Sequence, residues 1–263
     1  MLGKLIKNEF KATSRNFIPV YIIMIVVTIF FKITMEIQES AGIESKLLDI
    51  LGGLLMITYI IALIAVIIGT IILIIKRFYD NMLKDEGYLS FTLPVSTGQH
   101  LASKTIVSYV WMLVSIILVI AAVMVIPLGH GIYSEIFKEL GVIIDGITEM
   151  GWWHYVVEVA LMCIVSIYSY IMMGYTCFSV GQNFNKHRIV GAFITYIVIY
   201  VISQVLNSVV MVYLMGVDLN DEISVMSNVF HPLMIYSLVL AIIESVVFTV
   251  ITYVMLNKKL NLE

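Results

Sequence analysis

Six uninterrupted apolar runs, at about residues 17–35, 51–75, 106–126, 155–180, 189–215 and 233–256, set what this chain can fold into. A hydrocarbon core about 30 Å thick takes about 20 residues of apolar helix to cross, and each run is long enough. Inside lipid every backbone N–H and C=O must be satisfied within the segment, which leaves the helix as the spanning form for such runs. Hydrophobic residues make up 61% of the chain and charged ones 13%, far more apolar than one soluble core requires. Over 263 residues, six crossings and short loops leave no room for a sizeable soluble domain. The sequence therefore predicts an all-α integral membrane protein, residues 1–263 forming one domain without internal repeats or low-complexity tracts. The first run reads as a retained span, because no small-residue cleavage site separates it from a soluble mature chain.

Basic residues orient the spans. Lys4, Lys7, Lys11 and Arg15 precede the first; Lys76, Arg77, Lys84 and Lys104 lie between the second and third; Lys186, Arg188, Lys258 and Lys259 flank later ones. These are twelve of the fifteen Lys and Arg, all on one side. The positive-inside rule makes that side cytoplasmic, so both termini are expected inside and segments 36–50, 127–154 and 216–232 outside. Eleven of the eighteen acids fall in those outer segments, a weaker signal because acids contribute little to orientation. Trp152 and Trp153, where the chain re-enters, suit an interfacial anchor.

Two further segments have helical spacing without being spans. Leu2, Leu5, Ile6, Phe10 and Phe17 recur at helical intervals beside Lys4, Lys7, Lys11 and Arg15, which predicts an amphipathic helix over 1–16 on anionic lipid. Ile132, Ile136, Leu140, Ile144 and Ile147 form a stripe opposite Glu135, Lys138, Glu139 and Asp145, which predicts an amphipathic helix within 127–154 on the outer surface. Pro19, Pro94, Pro127 and Pro232 are expected near span ends or in loops. Cys163 and Cys177, fourteen residues apart on one helix, are separated by about 21 Å and cannot pair, since bridgeable Cα atoms lie within about 7 Å.

Chemistry-bearing motifs are few. Gly98–Thr105 approaches the phosphate-binding G-x-x-x-x-G-K-[ST] loop but has Ser103 at the second glycine and leads directly into the third span. Ser96 and Gln99 match an S-x-x-Q capping box, so the segment is expected to start a helix. His100, His130, His154, His187 and His231 are scattered over both sides of the membrane, and no metal site is read from them. No G-x-S-x-G elbow and no paired intramembrane carboxylates occur, so no catalytic residue is assigned.

Polar residues within spans carry more information, because lipid makes them costly. Glu244 lies halfway along the sixth span, and Ser237, Ala241, Ser245 and Thr252 are expected to share its face. Tyr196, Tyr200, Gln204 and Asn207 make a second stripe on the fifth span, and the two stripes could meet. Glu244 has two readings, a protonated acid hydrogen-bonded to a neighbouring helix as a structural tie, or part of a translocation path. Lys32 and Glu158, near outer span ends, can snorkel to water.

The opening Leu5-Ile6-Lys7-Asn8-Glu9-Phe10-Lys11, and Lys76-Arg77-Phe78-Tyr79 followed by Asp85-Glu86-Gly87-Tyr88-Leu89-Ser90-Phe91-Thr92-Leu93-Pro94-Val95-Ser96, resemble the ABC-2 type permeases of Firmicutes. The resemblance extends over the whole chain, with these two segments its specific part. It implies a multi-pass subunit of a bacterial cell-membrane exporter, residues 1–16 being the connecting helix and 76–105 the cytoplasmic coupling loop. Asp85, Glu86, Gly87, Tyr88, Phe91, Leu93 and Pro94 would then dock on a separate ABC ATPase that carries ATP and Mg. The working assembly would contain two permeases, identical or homologous, and spans two and five would line the path. One departure is that the longest outer loop here joins spans three and four, where such permeases often enlarge the loop between five and six.

The residues themselves agree in one respect, that a transporter chain without a phosphate-binding loop needs a partner's ATP hydrolysis. No cofactor is expected on this chain, and no nucleic acid among its partners. The Tyr, Met, Ser and Thr content of its spans suits an amphipathic or apolar cargo, a peptide being the first candidate. A non-transporting membrane scaffold or sensor that anchors a cytoplasmic partner would use the same loop, and copurification of an ATPase discriminates between the two.

Overall fold

The computed structural model describes residues 2–41, 46–84, 87, 95–127, 132–184, 187–214 and 229–258. They form α1 (Leu2–Ala41), α2 (Lys46–Met82), α3 (Thr97–Val125), α4 (Ile132–Glu149), α5 (Trp153–Gly181), α6 (Arg188–Leu214) and α7 (His231–Lys258). All but α4 are long and apolar enough to cross a membrane, matching the six runs in the sequence. Within the most apolar window of each, only 11–28% of residues are buried by the chain itself. Rows of exposed Ile, Val and Leu on every span, among them Ile23, Ile61, Ile117, Val157, Val209 and Val246, need a nonaqueous neighbour. The chain is a multi-pass membrane protein.

The helices exceed the apolar runs at their charged ends. The amphipathic stretch before the first span is helical and continues into it within one helix, so Pro19, near the start of the apolar run, lies inside α1. α2 runs on to Met82, and α3 begins at Thr97 behind Ser96, whose hydroxyl accepts the Gln99 N–H at 3.4 Å. Residues 98–105 are thus helical, and their backbone amides beyond the first turn are used in helix bonds. The connection between α2 and α3 is correspondingly shorter than 76–105. α4 forms where the apolar stripe predicts it, and the chain leaves Phe137, Val142, Ile143 and Ile144 on it exposed.

The described chain divides into two compact units. One comprises residues 3–77 and 106–145. Its core gathers Met24 and Phe31 of α1, Tyr59 and Val66 of α2, and Ala122 of α3. Phe31 stacks on Tyr59 with centroids 4.4 Å apart, and the Tyr59 hydroxyl donates to the Ala122 carbonyl at 3.0 Å. A second layer is polar: Ser115 bonds both the Tyr21 hydroxyl at 2.8 Å and the Thr70 hydroxyl at 2.7 Å, and all three residues are buried. Such hydroxyl ties hold helices together where lipid supplies no hydrophobic force between them. Trp111 of α3 lies against Phe10, Phe17 and Tyr21 of α1, and its indole N–H donates to Thr13 at 2.8 Å. Arg77 grips both carboxylate oxygens of Glu9 at 2.9 and 3.3 Å. Lys32, expected to snorkel, is instead tied to the Ile126 carbonyl at 3.1 Å and to Glu36, one turn on, at 2.9 Å.

The other unit comprises residues 1–2, 78–105 and 146–263. α5 is its centre. Tyr175 stacks on Phe78 at 3.9 Å, and the Thr176 hydroxyl donates to the Phe248 carbonyl at 3.0 Å and pairs with the Thr252 hydroxyl at 2.9 Å, both on α7. Where α5 turns back into α6, Gly181 and Gly191 bring the two backbones together; a Cβ on Gly181 would lie 2.6 Å from the Ala192 nitrogen. Lys104, buried at the start of α3, donates to the Asn81 side chain at 2.6 Å.

Candidate functional site

Helix geometry decides which polar residues of the second unit meet. On α6, Tyr196, Tyr200, Gln204 and Asn207 recur at four, four and three residues and so share a face. On α7, Ser237 and Ala241 lie within about 60° of Glu244 around the axis, whereas Ser245 and Thr252 are turned away by about 100° and 80°. The structure follows this arithmetic. A cavity of about 380 Å³ is lined on α6 by Tyr196, Tyr200, Gln204 and Asn207, and on α7 by Ser237, Ala241 and Glu244. Ser245 and Thr252 do not line it, a correction to their placement on the Glu244 face: Ser245 bonds the Ile242 carbonyl of its own helix, and Thr252 pairs with Thr176.

α5 supplies a third wall that the sequence reading missed. Met162, Ser166, Ser169, Tyr170 and Met173 line the cavity at intervals of four, three, one and three, the signature of one helix face. α2, the second span implied for the path, contributes no lining residue, while α6, the fifth span, does. Ser203 was also missed, although it lies three residues after Tyr200 on the same face. Its hydroxyl donates to Glu244 Oε1 at 2.8 Å and is the direct link between the two polar stripes.

The remaining polar groups point at space more than at one another. The Tyr196 and Tyr200 rings stack with centroids 6.4 Å apart and planes 21° apart, both largely exposed. The side-chain amides of Gln204 and Asn207 and the second oxygen of Glu244 make no hydrogen bond among the described residues. Among the described lining residues Glu244 is the sole carboxylate, and there is no Lys, Arg or His.

Glu244→Gln keeps an oxygen for the Ser203 hydroxyl and is expected to leave thermal stability in detergent unchanged. Glu244→Leu removes the acceptor and should cost about 0.6–2 kcal/mol, the range for one polar contact within a membrane. Equal melting curves for the two variants would show the Ser203 bond to be without weight.

A second polar group joins the far ends of α5 and α7. His231 Nδ1 is 3.2 Å from Glu158 Oε2, and the His154 and Tyr155 rings lie 5.9 and 5.4 Å from that of His231. Glu158 thus has a partner and is not merely snorkelling, and two histidines scattered in sequence come together. Among the described residues no group of His, Cys, Asp or Glu is arranged to hold a metal. Cys163 is exposed and Cys177 buried, and both are free.

Of the coupling residues, Asp85, Glu86, Tyr88, Phe91, Leu93 and Pro94 lie outside the described residues. Gly87 is described; it is buried, and its N–H donates to the Lys84 carbonyl at 2.7 Å, closing a turn at the end of α2. Comparison with protein-family models, with curated proteins and with solved structures finds no match to this chain.

Proposed function

We propose that this membrane protein is the permease subunit of an ATP-driven ABC exporter in a bacterial cell membrane. It works with a separate ABC ATPase and a second permease, a copy or a homologue, and moves an amphipathic or apolar cargo, a peptide being the first candidate. The observation that supports this reading is the cavity. Polar groups used only to tie helices together satisfy one another, yet here two amides and a carboxylate oxygen are without a hydrogen bond among the described residues, beside three tyrosines in the middle of spanning helices. Open polar groups at that depth are costly and belong to water-filled or substrate-bearing paths. The resemblance of the α2–α3 connection to ABC-2 coupling loops supplies the second half of the reading, the energy source.

In this reading Asp85 and Glu86, adjacent acids on a face dominated by Lys and Arg, select a basic docking surface. Tyr88, Phe91 and Leu93 supply large apolar anchors of the kind that carry most of the energy in protein interfaces. The test is coexpression of the tagged chain with the ABC ATPase encoded nearest to it. Glu86→Ala with Tyr88→Ala should insert normally yet lose ATPase copurification and cargo-stimulated hydrolysis, and the chain alone should bind no ATP. A double variant that copurifies its ATPase and transports like the parent chain would overturn the coupling assignment.

A further inference from the structure

We infer that the cavity beside Glu244 is an organic-cation site, taking the ammonium, guanidinium or comparable cationic head of an amphipathic ligand. The inference rests on the reading of this cavity as a cargo path and adds the chemistry of what enters it. Charge carries it furthest. Among the described residues Glu244 is the sole acid lining the cavity, and no base lines it to neutralise that acid. Ser203 occupies one carboxylate oxygen at 2.8 Å and leaves the other without a hydrogen bond among the described residues. A carboxylate offers about four lone-pair sites, so acceptor capacity remains for a ligand's N–H groups or positive charge. An anionic ligand would meet the same carboxylate as a repulsion with no counter-charge nearby.

The aromatic lining points the same way. Tyr196 and Tyr200 present stacked rings one turn apart on α6, and Tyr170 faces the cavity from α5. Ring faces carry negative electrostatic potential and attract a cation within about 6 Å, more strongly when it is desolvated. Met162, Met173, Leu240 and Phe248 complete the lining with flexible or apolar surface for the ligand's body. The volume of about 380 Å³ falls within the range of small-molecule sites, about 300–1,000 Å³.

The test uses the full chain in phosphatidylcholine nanodiscs, with empty nanodiscs subtracted, and three probes of similar bulk. Tetraphenylphosphonium is the cation, tetraphenylborate the anion of matching shape, and triphenylphosphine oxide the neutral compound. Saturable phosphonium binding is expected, about tenfold or more tighter than that of the oxide, with none for the borate. Glu244→Gln should weaken phosphonium by about tenfold and leave the oxide unchanged, while Glu244→Asp, which keeps the charge, should restore part of the difference. Failure of every probe to bind saturably, stronger binding of borate or oxide, or indifference of phosphonium to Glu244→Gln in a variant that elutes as a single species would overturn the cation assignment. Ala241→Trp fills the cavity beside Glu244 and separates the two levels. If it abolishes binding of oxide and phosphonium alike while Glu244→Gln changes nothing, only the charge assignment falls. If it leaves all saturable binding intact, the probes bind elsewhere and the cargo-path reading falls as well.

Discussion

Gly181→Val is expected to be the most damaging single substitution in the second unit, costing about 3 kcal/mol and opening the α5–α6 hairpin. A Cβ at 181 would lie 2.6 Å from the Ala192 nitrogen, 2.7 Å from the Arg188 carbonyl oxygen and 2.9 Å from the Ala192 Cα. All three are backbone atoms of the first turns of α6, so no side-chain rotation relieves the overlap and the helices must separate. Gly191 tests the logic from the other side. A Cβ there meets the Phe184 ring at 2.4 Å, which rotation relieves, and the Gly181 carbonyl oxygen at 2.9 Å, which it does not. Gly191→Ala should therefore cost about 1–2 kcal/mol, less than Gly181→Val. Because α5 and α6 form two walls of the cavity, Gly181→Val should also abolish saturable probe binding. Unfolding in mixed micelles measures the first effect, and a Gly181→Val protein as stable as its parent would mean that the close approach is not maintained in the bilayer.

Trp111→Ala should be nearly as costly in the first unit, at about 3 kcal/mol, the lower end for removing a large aromatic from a packed site. The indole stacks on Phe17 at 4.7 Å and touches Phe10 and Tyr21 at 5.9 Å each, so one side chain of α3 contacts three rings spread over three turns of α1. In a membrane the separated helices remain helical and lipid-covered, so the loss is of packing and of the Thr13 bond and not of apolar burial from water. Trp111→Phe isolates the bond: it keeps a ring against Phe17 but removes the N–H that reaches Thr13 at 2.8 Å, and should cost about 0.6–1.7 kcal/mol. If Trp111→Phe and Trp111→Ala prove equally unstable, the hydrogen bond outweighs the ring stack.

What the sequence discloses here follows from the price lipid puts on polarity. Runs of 18 or more apolar residues admit one structure, so all six spans are legible, and Glu244 with the Tyr196–Asn207 stripe stands out because such residues are rare at that depth. Spacing put each stripe on one face of its own helix and let the two meet; that they line one cavity is shown by the structure. The α5 wall was legible in principle, since Ser166, Ser169, Tyr170 and Met173 keep helical intervals, but serine and methionine are ordinary in spans and drew no attention. The partners of Glu158 and Lys104, and the Ile126 carbonyl that holds Lys32, were not legible, because each is distant in sequence; the Lys32–Glu36 pair, one turn apart, was. Nor was the role of Gly181, since a glycine in a span reads the same whether it faces lipid or another backbone. Thr252 shows the converse error: proximity in sequence to Glu244 suggested a shared face, and a turn of about 80° gave it to Thr176 instead.

The forty residues of α1 have a mechanical consequence. At about 1.5 Å per residue the helix is roughly 60 Å long, twice the thickness of the hydrocarbon core, so its basic end and its apolar span are one beam. That beam has one compliant joint. Pro19 carries no N–H, so the Arg15 carbonyl loses its partner and the ring crowds the preceding turn. A flexure of about 10° there would move the amino-terminal end, about 25 Å away, through roughly 4 Å. Phe17 and Tyr21 lie on either side of the joint and both bear on Trp111, which splints it from α3. Motion at this joint is thus opposed from outside the helix, by the Trp111 indole together with the Tyr21–Ser115 and Glu9–Arg77 ties on either side of it, and any force that shifts α3 along α1 would alter how far a displacement at the basic end travels into the membrane.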